Sequence, residues 1–207
     1  MKILNMKNLA IKDIKVLKFA RFCDNRGYFT ENYRAQDLEK ELGLQKTGIK
    51  QINESQSKKN TIRGLHFQWN PYMGKLVRTV SGHMIDLVLD IRLKSPTLGK
   101  IIAYDMPAHN KDNYNEWIWI PPGFAHGNLF LENTKIEYLC TGIYSPNCEA
   151  GISPLSKDLD WSLCSPKMSR QFNRLIRNSR KIISEKDLTA INLTSWLQDK
   201  RAKKFNF

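Results

Sequence analysis

Short apolar segments separated by turn residues recur along most of the chain and predict a mainly β protein. The clearest segment is 84–92. Its odd-numbered positions are apolar, and Asp86 and Asp90 lie at even-numbered positions, which is the two-residue period of a strand. Many short strands with few helices between them favour an antiparallel sandwich or barrel. The predicted strands cover residues 11–19, 28–31, 49–53, 62–68, 75–80, 84–92, 101–106, 117–120, 128–131 and 136–141.

Two segments have the pattern of a helix instead. Residues 35–42 predict a short helix that ends at Gly43. After Asp160-Trp161 the pattern changes, and residues 168–183 predict a second helix with Phe172 and Leu175 on its apolar face among arginines. We therefore expect one domain over 1–207, with a barrel core at about 45–150 and a helical C-terminal part at about 166–207.

Composition limits the classes of protein that the chain can belong to. Its 207 residues are enough to bury a substantial core, and it has no run of 18 apolar residues, so no transmembrane helix is expected. The N-terminus lacks the apolar core of a signal peptide. The four cysteines form no Cys-x-x-Cys pair, which predicts free thiols in a reducing cytoplasm.

The net charge of +13 is concentrated near the C-terminus. From Lys157 onward there are 12 Lys and Arg against 5 Asp and Glu. A basic surface suggests an anionic partner, such as nucleic acid, anionic lipid or a phosphorylated small molecule, and a solvated basic helix face is an equally good interpretation. No nucleic-acid-binding motif accompanies the charge.

Candidate chemistry is concentrated around the segment Arg63-Gly64-Leu65-His66-Phe67-Gln68, which Lys75 follows closely. His66 suits a general base, and a hydrogen-bonded core histidine is the alternative. Strand alternation puts Arg63 and His66 on opposite faces. Both can reach one cavity only if the strand bends or bulges, and Gly64 is the natural position for that.

Two further features could contribute to a site. His126 lies between Pro121-Pro122-Gly123 and Gly127, which predicts a tight loop that either presents the histidine or merely contains it. Tyr138 and Tyr144 could donate protons at neutral pH, although packing is the commoner use of tyrosine in strands.

Other chemistries lack their motifs. His66 and His126 have no second histidine close in sequence, and Asp86 and Asp90 have no histidine partner there, so a metal site is not expected. The chain has no Gly-x-Ser-x-Gly elbow, no Gly-x-Gly-x-x-Gly and no phosphate-binding loop, which argues against serine hydrolase, Rossmann and kinase chemistry.

Taken in order, the motifs resemble the dTDP-4-dehydrorhamnose 3,5-epimerases, a family of cupin-like β-barrels. The resemblance spans residues 13–187, and no single block carries it alone. The blocks are Asp24-x-Arg26-Gly27-x-Phe29-x-Glu31, Gln51-x-Asn53-x-Ser55, Arg63-Gly64-Leu65-His66-Phe67-Gln68, Gly74-Lys75-Leu76-Val77-Arg78, Asp90-Ile91-Arg92-x-x-Ser95-Pro96-Thr97-x-Gly99, Pro122-Gly123-Phe124-Ala125-His126-Gly127, Tyr138-(x5)-Tyr144-x-Pro146-x-x-Glu149 and Ile183-Ser184-Glu185-Lys186-Asp187.

The resemblance implies an antiparallel cupin-like jelly-roll barrel with short N-terminal and C-terminal helices, and a role for each matching residue. His66 would remove protons from C3 and C5 of the sugar, and Asp187 would pair with His66 and raise its basicity. Tyr138 would return a proton on the opposite face, and Lys75 would face the C4 oxygen. The implied substrate-binding residues are Arg26, Glu31, Gln51, Asn53, Arg63, His126, Glu149 and Lys186.

The implied reaction converts dTDP-4-dehydro-6-deoxy-D-glucose to dTDP-4-dehydro-L-rhamnose, without metal or cofactor, in a cytoplasmic homodimer. No nucleic-acid or membrane partner is implied. The chain departs from the family at Asn128, where an aromatic residue is usual, at Trp69-Asn70 and at Trp161-Ser162-Leu163. Three alternatives therefore stay open: an epimerase acting at C3 alone, one acting on another nucleotide deoxysugar, and a non-catalytic sugar-nucleotide or nucleic-acid binding protein.

Overall fold

The computed structural model describes residues 1–109 and 112–207, and strands dominate this part of the chain. The strands are β1 (Ile3–Asn8), β2 (Lys15–Ala20), β3 (Phe22–Asp24), β4 (Gly27–Phe29), β5 (Gln51–Ser57), β6 (Thr61–Gln68), β7 (Lys75–Ser81), β8 (His83–Asp90), β9 (Ile101–Pro107), β10 (Tyr114–Ile120), β11 (Phe124–Phe130), β12 (Thr134–Cys140), β13 (Glu149–Gly151) and β14 (Ile182–Ile183). The helices are α1 (Ala35–Leu42), α2 (Pro166–Ile176), α3 (Glu185–Leu188) and α4 (Leu193–Gln198), with 3₁₀ helices at Pro146–Cys148 and Lys200–Phe205.

Two large sheets form a cupin-like β-barrel, as the sequence predicts. The first sheet has the strand order β1-β2-β10-β7-β12-β5, and the second has the order β13-β6-β11-β8-β9 with β14 added beside β6. Neighbouring strands pair antiparallel throughout these two paths, and β14 alone pairs parallel to its neighbour. Strands β3 and β4 form a separate hairpin.

The second sheet is buried on both faces, which the alternation along β8 does not reveal. Ile85 and Leu87 belong to a core beneath the C-terminal helices, together with Trp196. Met84 and Val88 pack on the opposite face in a different core, between the two sheets. The aspartates of β8 are therefore interior residues rather than a solvent face, and both are fully buried.

The predicted helix over 168–183 is too long. Helix α2 begins after Ser165, whose hydroxyl accepts the amide hydrogen bond of Met168, and ends at Ile176. The five residues after Ile176 are all polar and supply no apolar face for burial. Ile182 instead donates its backbone N–H to the Asn60 carbonyl at 2.9 Å, and β14 runs beside β6.

The N-terminal part is only partly predictable from the sequence. Helix α1 has the predicted bounds, and Gly43 ends it with a left-handed φ of 71°. The predicted first strand is shorter, as β2, and the predicted strand at 28–31 is one arm of the β3–β4 hairpin. Strand β1 has no clear pattern in the sequence because it is a mostly exposed edge strand.

No helix in the described ranges is long and apolar enough to cross a membrane.

Candidate active site

A cleft between the two sheets contains most of the predicted site residues. It consists of two adjoining cavities of about 340 and 430 Å³. His66 and His126 reach it from the second sheet, and Lys75 and Tyr138 from the first, and all four line both cavities. The cleft therefore has a histidine wall facing a lysine and tyrosine wall.

A β-bulge in β6 brings Arg63 and His66 to the same cleft. His126 of β11 lies opposite His66, but Asn128 lies opposite Arg63, so three residues of β6 span two of β11. Gly64 lies within the bulge and has a φ of 101°. The structure thus confirms the predicted irregularity at this glycine.

His66 and Asp187 form a hydrogen-bonded pair although they are 121 residues apart. The His66 Nε2 to Asp187 Oδ1 distance is 2.6 Å, and the Gly64 N–H donates to Asp187 Oδ2 at 3.2 Å. Burial by itself raises the pKa of Asp187, but the hydrogen bonds from His66, Gly64 and Ser184 outweigh it, so the net shift is downward. A carboxylate on Nε2 leaves Nδ1 of His66 as the ring nitrogen available to a substrate.

Lys75 and Tyr138 lie on adjacent strands of the opposite wall. In the register of β7 with β12, Lys75 pairs with Cys140, and Tyr138 pairs with Val77. Burial lowers the pKa of Lys75, and the negative charges of nearby groups such as Glu149 and Asp86 oppose that shift. Burial raises the pKa of Tyr138, so its phenol keeps its proton at neutral pH.

Glu149 joins several groups at the rim of the cleft. Its Oε1 accepts a hydrogen bond from Lys186 Nζ at 2.9 Å and lies 4.0 Å from His66 Nδ1. Burial raises the pKa of Glu149, but its hydrogen bonds from Lys186 and Tyr144 give a net lowering. The hydrogen bond to Glu149 also raises the pKa of Tyr144, whose ring is exposed at the first cavity.

His126 is not in a loop, contrary to the sequence interpretation. It lies within β11, is 8% exposed and pairs through Nε2 with Asp86 Oδ2 at 2.8 Å. Asn128 donates to the same oxygen at 3.1 Å. The expectation that Asp86 has no histidine partner is therefore wrong, because Asp86 lies on β8, which pairs with β11.

Asn128 and Cys140 line the cleft, and Asp86 bonds to His126 and Asn128 behind its wall, although the sequence motifs selected none of the three as site residues. Asn128 and Cys140 bond to residues on other strands, so their neighbours along the chain give no signal. The period-two alternation of β8, with an aspartate among apolar residues, is the one signal that could have identified Asp86.

The predicted substrate-binding residues separate into two groups. Gln51 and Asn53 line the first cavity, where the Gln51 amide donates to Asn53 at 2.9 Å. Arg26 and Glu31 line neither cavity. Arg26 is exposed on the β3–β4 hairpin and pairs with Asp24 at 2.7 Å, and Glu31 pairs with Arg34 at 2.8 Å.

Within the described ranges, no group of three or more His, Cys, Asp and Glu side chains has the arrangement of a metal site. The two histidine–aspartate pairs offer two ligands each, and both histidines direct Nε2 at a carboxylate. The cleft combines a histidine–carboxylate pair, a lysine and a tyrosine, which are groups that can transfer a proton at a carbon atom next to a carbonyl group.

Comparison with known proteins identifies the family of this chain. The family model described as dTDP-4-dehydrorhamnose 3,5-epimerase matches residues 8–195. The chain belongs to the dTDP-4-dehydrorhamnose 3,5-epimerase family. The matched range contains both His66 and Asp187.

Individual members of this epimerase family are similar over most of the chain. The dTDP-4-dehydrorhamnose 3,5-epimerase of Salmonella typhimurium is 43% identical over 145 residues, which are 69% of this chain and 76% of that protein. The enzyme of that name from Escherichia coli K12 is 36% identical over 185 residues, which are 84% and 97% of the two chains.

Solved structures of the epimerase family share the fold. The dTDP-6-deoxy-D-glucose-3,5-epimerase of Legionella pneumophila Philadelphia 1, in complex with dTDP-4-keto-L-rhamnose, has a TM-score of 0.80 and 33% identity, with 96% of each chain covered. The dTDP-4-dehydrorhamnose 3,5-epimerase of Sulfolobus tokodaii has a TM-score of 0.75 and 33% identity, with 94% and 97% covered.

Proposed function

We propose that this protein is a dTDP-4-dehydrorhamnose 3,5-epimerase. It converts dTDP-4-dehydro-6-deoxy-D-glucose to dTDP-4-dehydro-L-rhamnose by inverting C3 and C5. The observation that carries the proposal is the 2.6 Å pair of His66 and Asp187 on one wall of a cleft whose other wall holds Lys75 and Tyr138.

Proton removal is the first step, and it falls to His66. A C–H next to a ketone is a weak acid, because the electron pair left behind spreads onto the ketone oxygen. With Asp187 on Nε2, the Nδ1 lone pair of His66 takes the proton, and the carboxylate stabilises the imidazolium that forms. A positioned base contributes about 10²–10⁴ in rate.

Lys75 stabilises the enolate. A protonated amine placed at the developing oxyanion contributes on the order of 3–4 kcal/mol, as a single donor does in an oxyanion hole. Burial makes the charged form of Lys75 less stable. The negative charges of Glu149 and Asp86 nearby reduce this cost. No change of oxidation state occurs, so the reaction needs no redox cofactor.

Inversion requires that the returning proton reach the opposite face of the carbon atom. Return from His66 would restore the starting configuration. Tyr138 reaches the cleft from the other sheet, and its raised pKa keeps the phenol protonated. We therefore assign Tyr138 as the acid.

Substrate binding uses the remaining polar groups of the cleft. Arg63 and Lys186 line the second cavity, and their charges suit the diphosphate. Gln51 and Asn53 line the first cavity and offer amide groups to the nucleotide sugar. Glu149 holds Lys186 in place. His126 reaches the sugar from beside His66.

We also propose a homodimer in which the β3–β4 hairpin contributes to the cleft of a second copy. Arg26 and Glu31 match the substrate-binding positions of the family, but they line neither cavity of their own chain. The hairpin also exposes three aromatic rings, of Phe22, Tyr28 and Phe29. Phe22 and Phe29 pair across the hairpin, and exposed aromatic side chains beside an arginine are characteristic of an interface.

We infer a cytoplasmic location for this enzyme. The four cysteines are free thiols in the structure, which suits a reducing compartment. Fractionation of cells that express a tagged chain tests the location, and recovery of the protein outside the cytoplasm contradicts it.

The decisive experiment is product analysis by NMR after incubation with dTDP-4-dehydro-6-deoxy-D-glucose in D₂O. We expect deuterium at both C3 and C5 and a product with both centres inverted. Inversion at C3 alone would identify a monoepimerase, and no incorporation at either centre would refute the proposed activity.

A further inference from the structure

Asn128 occupies an unusual position for an amide, because it lies on an interior face of the barrel and is only 5% exposed. It is two residues from His126 on β11, so both side chains lie on the same face of the strand. It lines the second cavity together with Ser55, Arg63 and Tyr138. His66 and Lys75 line the same cavity, so Asn128 shares a wall with the groups that the proposed function places around the sugar ring.

The amide group of Asn128 has a fixed orientation. Its Nδ2 donates to Asp86 Oδ2 at 3.1 Å and contacts Met84 Sδ at 3.4 Å. A carboxylate accepts hydrogen bonds and does not donate them, so the nitrogen side of the amide must face Asp86. The carbonyl oxygen is therefore the part of Asn128 that is left for the cavity.

Asp86 fixes the orientation of the Asn128 amide. It is fully buried, and its Oδ2 receives both Asn128 Nδ2 and His126 Nε2, the latter at 2.8 Å. Its Oδ1 has no hydrogen-bond partner among the described residues. A buried carboxylate is costly to leave unpaired, so exchange of the amide's ends, which would bring two oxygens together, is strongly disfavoured.

From these contacts we propose that Asn128 is a specificity-determining residue, whose carbonyl oxygen accepts a hydrogen bond from a ring hydroxyl of the sugar. Asp86 is the positioning residue that holds this oxygen towards the cavity. The inference rests on the proposed function and extends it, since it states which chemical group of the substrate this wall recognises.

The substrate in question has ring hydroxyls at C2 and C3, so its 2-deoxy and 3-deoxy analogues are the two probes. The quantity to measure is the ratio of kcat/KM for deuterium incorporation at C5, parent over analogue, because both analogues keep that centre. We expect Asn128→Leu, which keeps the size of the side chain, to lower this ratio about tenfold for one analogue, the loss expected for one neutral hydrogen bond.

A matched control comes from Asn115, a buried amide on β10 that bonds to Thr30, Asn32 and Trp117 and lines neither cavity. Asn115→Leu perturbs the interior to a similar degree but should leave both ratios unchanged. Equal ratios for Asn128→Leu and the wild-type protein with both analogues would overturn the proposal.

The role of Asp86 has its own test. Asp86→Asn provides an amide that can donate as well as accept, so Asn128 loses its fixed orientation while its side chain remains. We expect this variant to lose the discrimination that Asn128→Leu loses. Asp90→Asn is the control, because Asp90 is buried on the same face of β8 and bonds instead to Arg92, Ser95 and Thr97.

The same experiment separates this inference from the proposed function. Wild-type protein that incorporates deuterium but shows unchanged discrimination in both test variants refutes the inference alone. Wild-type protein that incorporates none refutes the proposed function. In that case the ratio of Kd values for the parent and each analogue, from calorimetry, decides whether Asn128 reads the hydroxyl.

Discussion

Two histidine–aspartate pairs lie side by side in the cleft, and at the scale of single residues they divide the chemistry. His66 and His126 are opposite each other on neighbouring strands, and each directs Nε2 at a buried carboxylate. Their surroundings differ, because Asp187 also receives the Gly64 N–H whereas Asp86 is shared with Asn128. In the proposed function, the first pair is the base, and the second pair orients residues that surround the sugar.

Replacement of His66 tests the base directly. His66→Ala should reduce deuterium incorporation at both C3 and C5 by at least about 10²-fold, since it removes the group that takes the proton. His83→Ala is the control, because His83 forms an equally short 2.6 Å pair with Asp105 but lines neither cavity. Incorporation near the wild-type rate in His66→Ala would exclude the role.

Tyr138→Phe tests the acid, since it removes only the phenolic oxygen. We expect inversion to be lost while some exchange of the substrate proton with solvent persists, because His66 can still remove and return a proton on its own face. NMR of the recovered substrate and product separates the two events. Unchanged epimerisation in this variant would contradict the assignment.

The pH dependence on the alkaline side should report Lys75. Burial lowers its pKa from the ordinary lysine value of 10.5, so a rise in pH through that lowered pKa removes the ammonium charge and the stabilisation of the enolate. Tyr138 does not interfere, because its pKa is shifted upward. As the pH rises, we expect the decline in kcat/KM of the wild-type protein to have its midpoint below pH 10.5.

Lys75→Arg provides the comparison, because arginine stays protonated throughout this range. It should move the alkaline decline to higher pH at a lower overall rate. An alkaline decline at the same pH in both proteins would show that another group titrates.

At the scale of elements, the bulge in β6 is the feature that assembles the histidine wall. A Cβ at Gly64 would lie 2.6 Å from Gly127 Cα and 2.6 Å from the His126 carbonyl oxygen, on backbone that already has a φ of 101°. Gly64→Ala should therefore destabilise the fold by about 2–4 kcal/mol, measured by urea unfolding.

A variant at Gly43 separates the two causes of this destabilisation, which are the strain of a side chain at positive φ and the close contacts of the new Cβ. It also has a left-handed φ, of 71°, but a Cβ there would meet no atom within 4 Å. Gly43→Ala should cost only about 1 kcal/mol from the backbone term. Equal losses in the two variants would mean that the contacts across the bulge carry no energy.

Strand β14 is the second element on which the site depends, because it leads directly to Asp187. Ile182→Pro removes the N–H that bonds to Asn60 at 2.9 Å. The side chain of Ile182 is 45% exposed, so little packing changes. We expect a loss of about 1 kcal/mol in unfolding free energy and a fall of about tenfold or more in kcat.

Ile182→Ala is the matched variant, since it loses the same side chain and keeps the N–H. Its kcat should stay close to the wild-type value. If both variants lose activity equally, the side chain and not the strand pairing positions Asp187.

At the scale of the whole molecule, the proposed dimer makes a prediction about mixed subunits. Arg26→Ala and His66→Ala should each be nearly inactive alone. After dissociation and reassociation of a mixture, activity should return in part, because a mixed dimer contains one cleft with both residues intact. Light scattering measures the dimer mass, and no recovery from a mixture of proven mixed dimers would place Arg26 outside the partner's site.

The sequence by itself determines the elements whose signal is local. Period-two alternation predicts most of the strands, and Gly43 marks the end of α1. The ordered motifs identify the epimerase family that the comparisons confirm. The irregularity at Gly64 was also predictable, because two polar residues on opposite faces of one strand can share a cavity only through a bulge.

Only the tertiary structure decides which side chains meet. Nothing in the neighbourhood of Asp86 along the chain indicates that His126 and Asn128 will share its oxygen, since that contact follows from the register of β8 with β11. The end of α2 is also decided by the tertiary structure, because Ile182 pairs beside β6 instead of continuing the helix. Strand pairing joins residues that are far apart in sequence, and no local pattern records it.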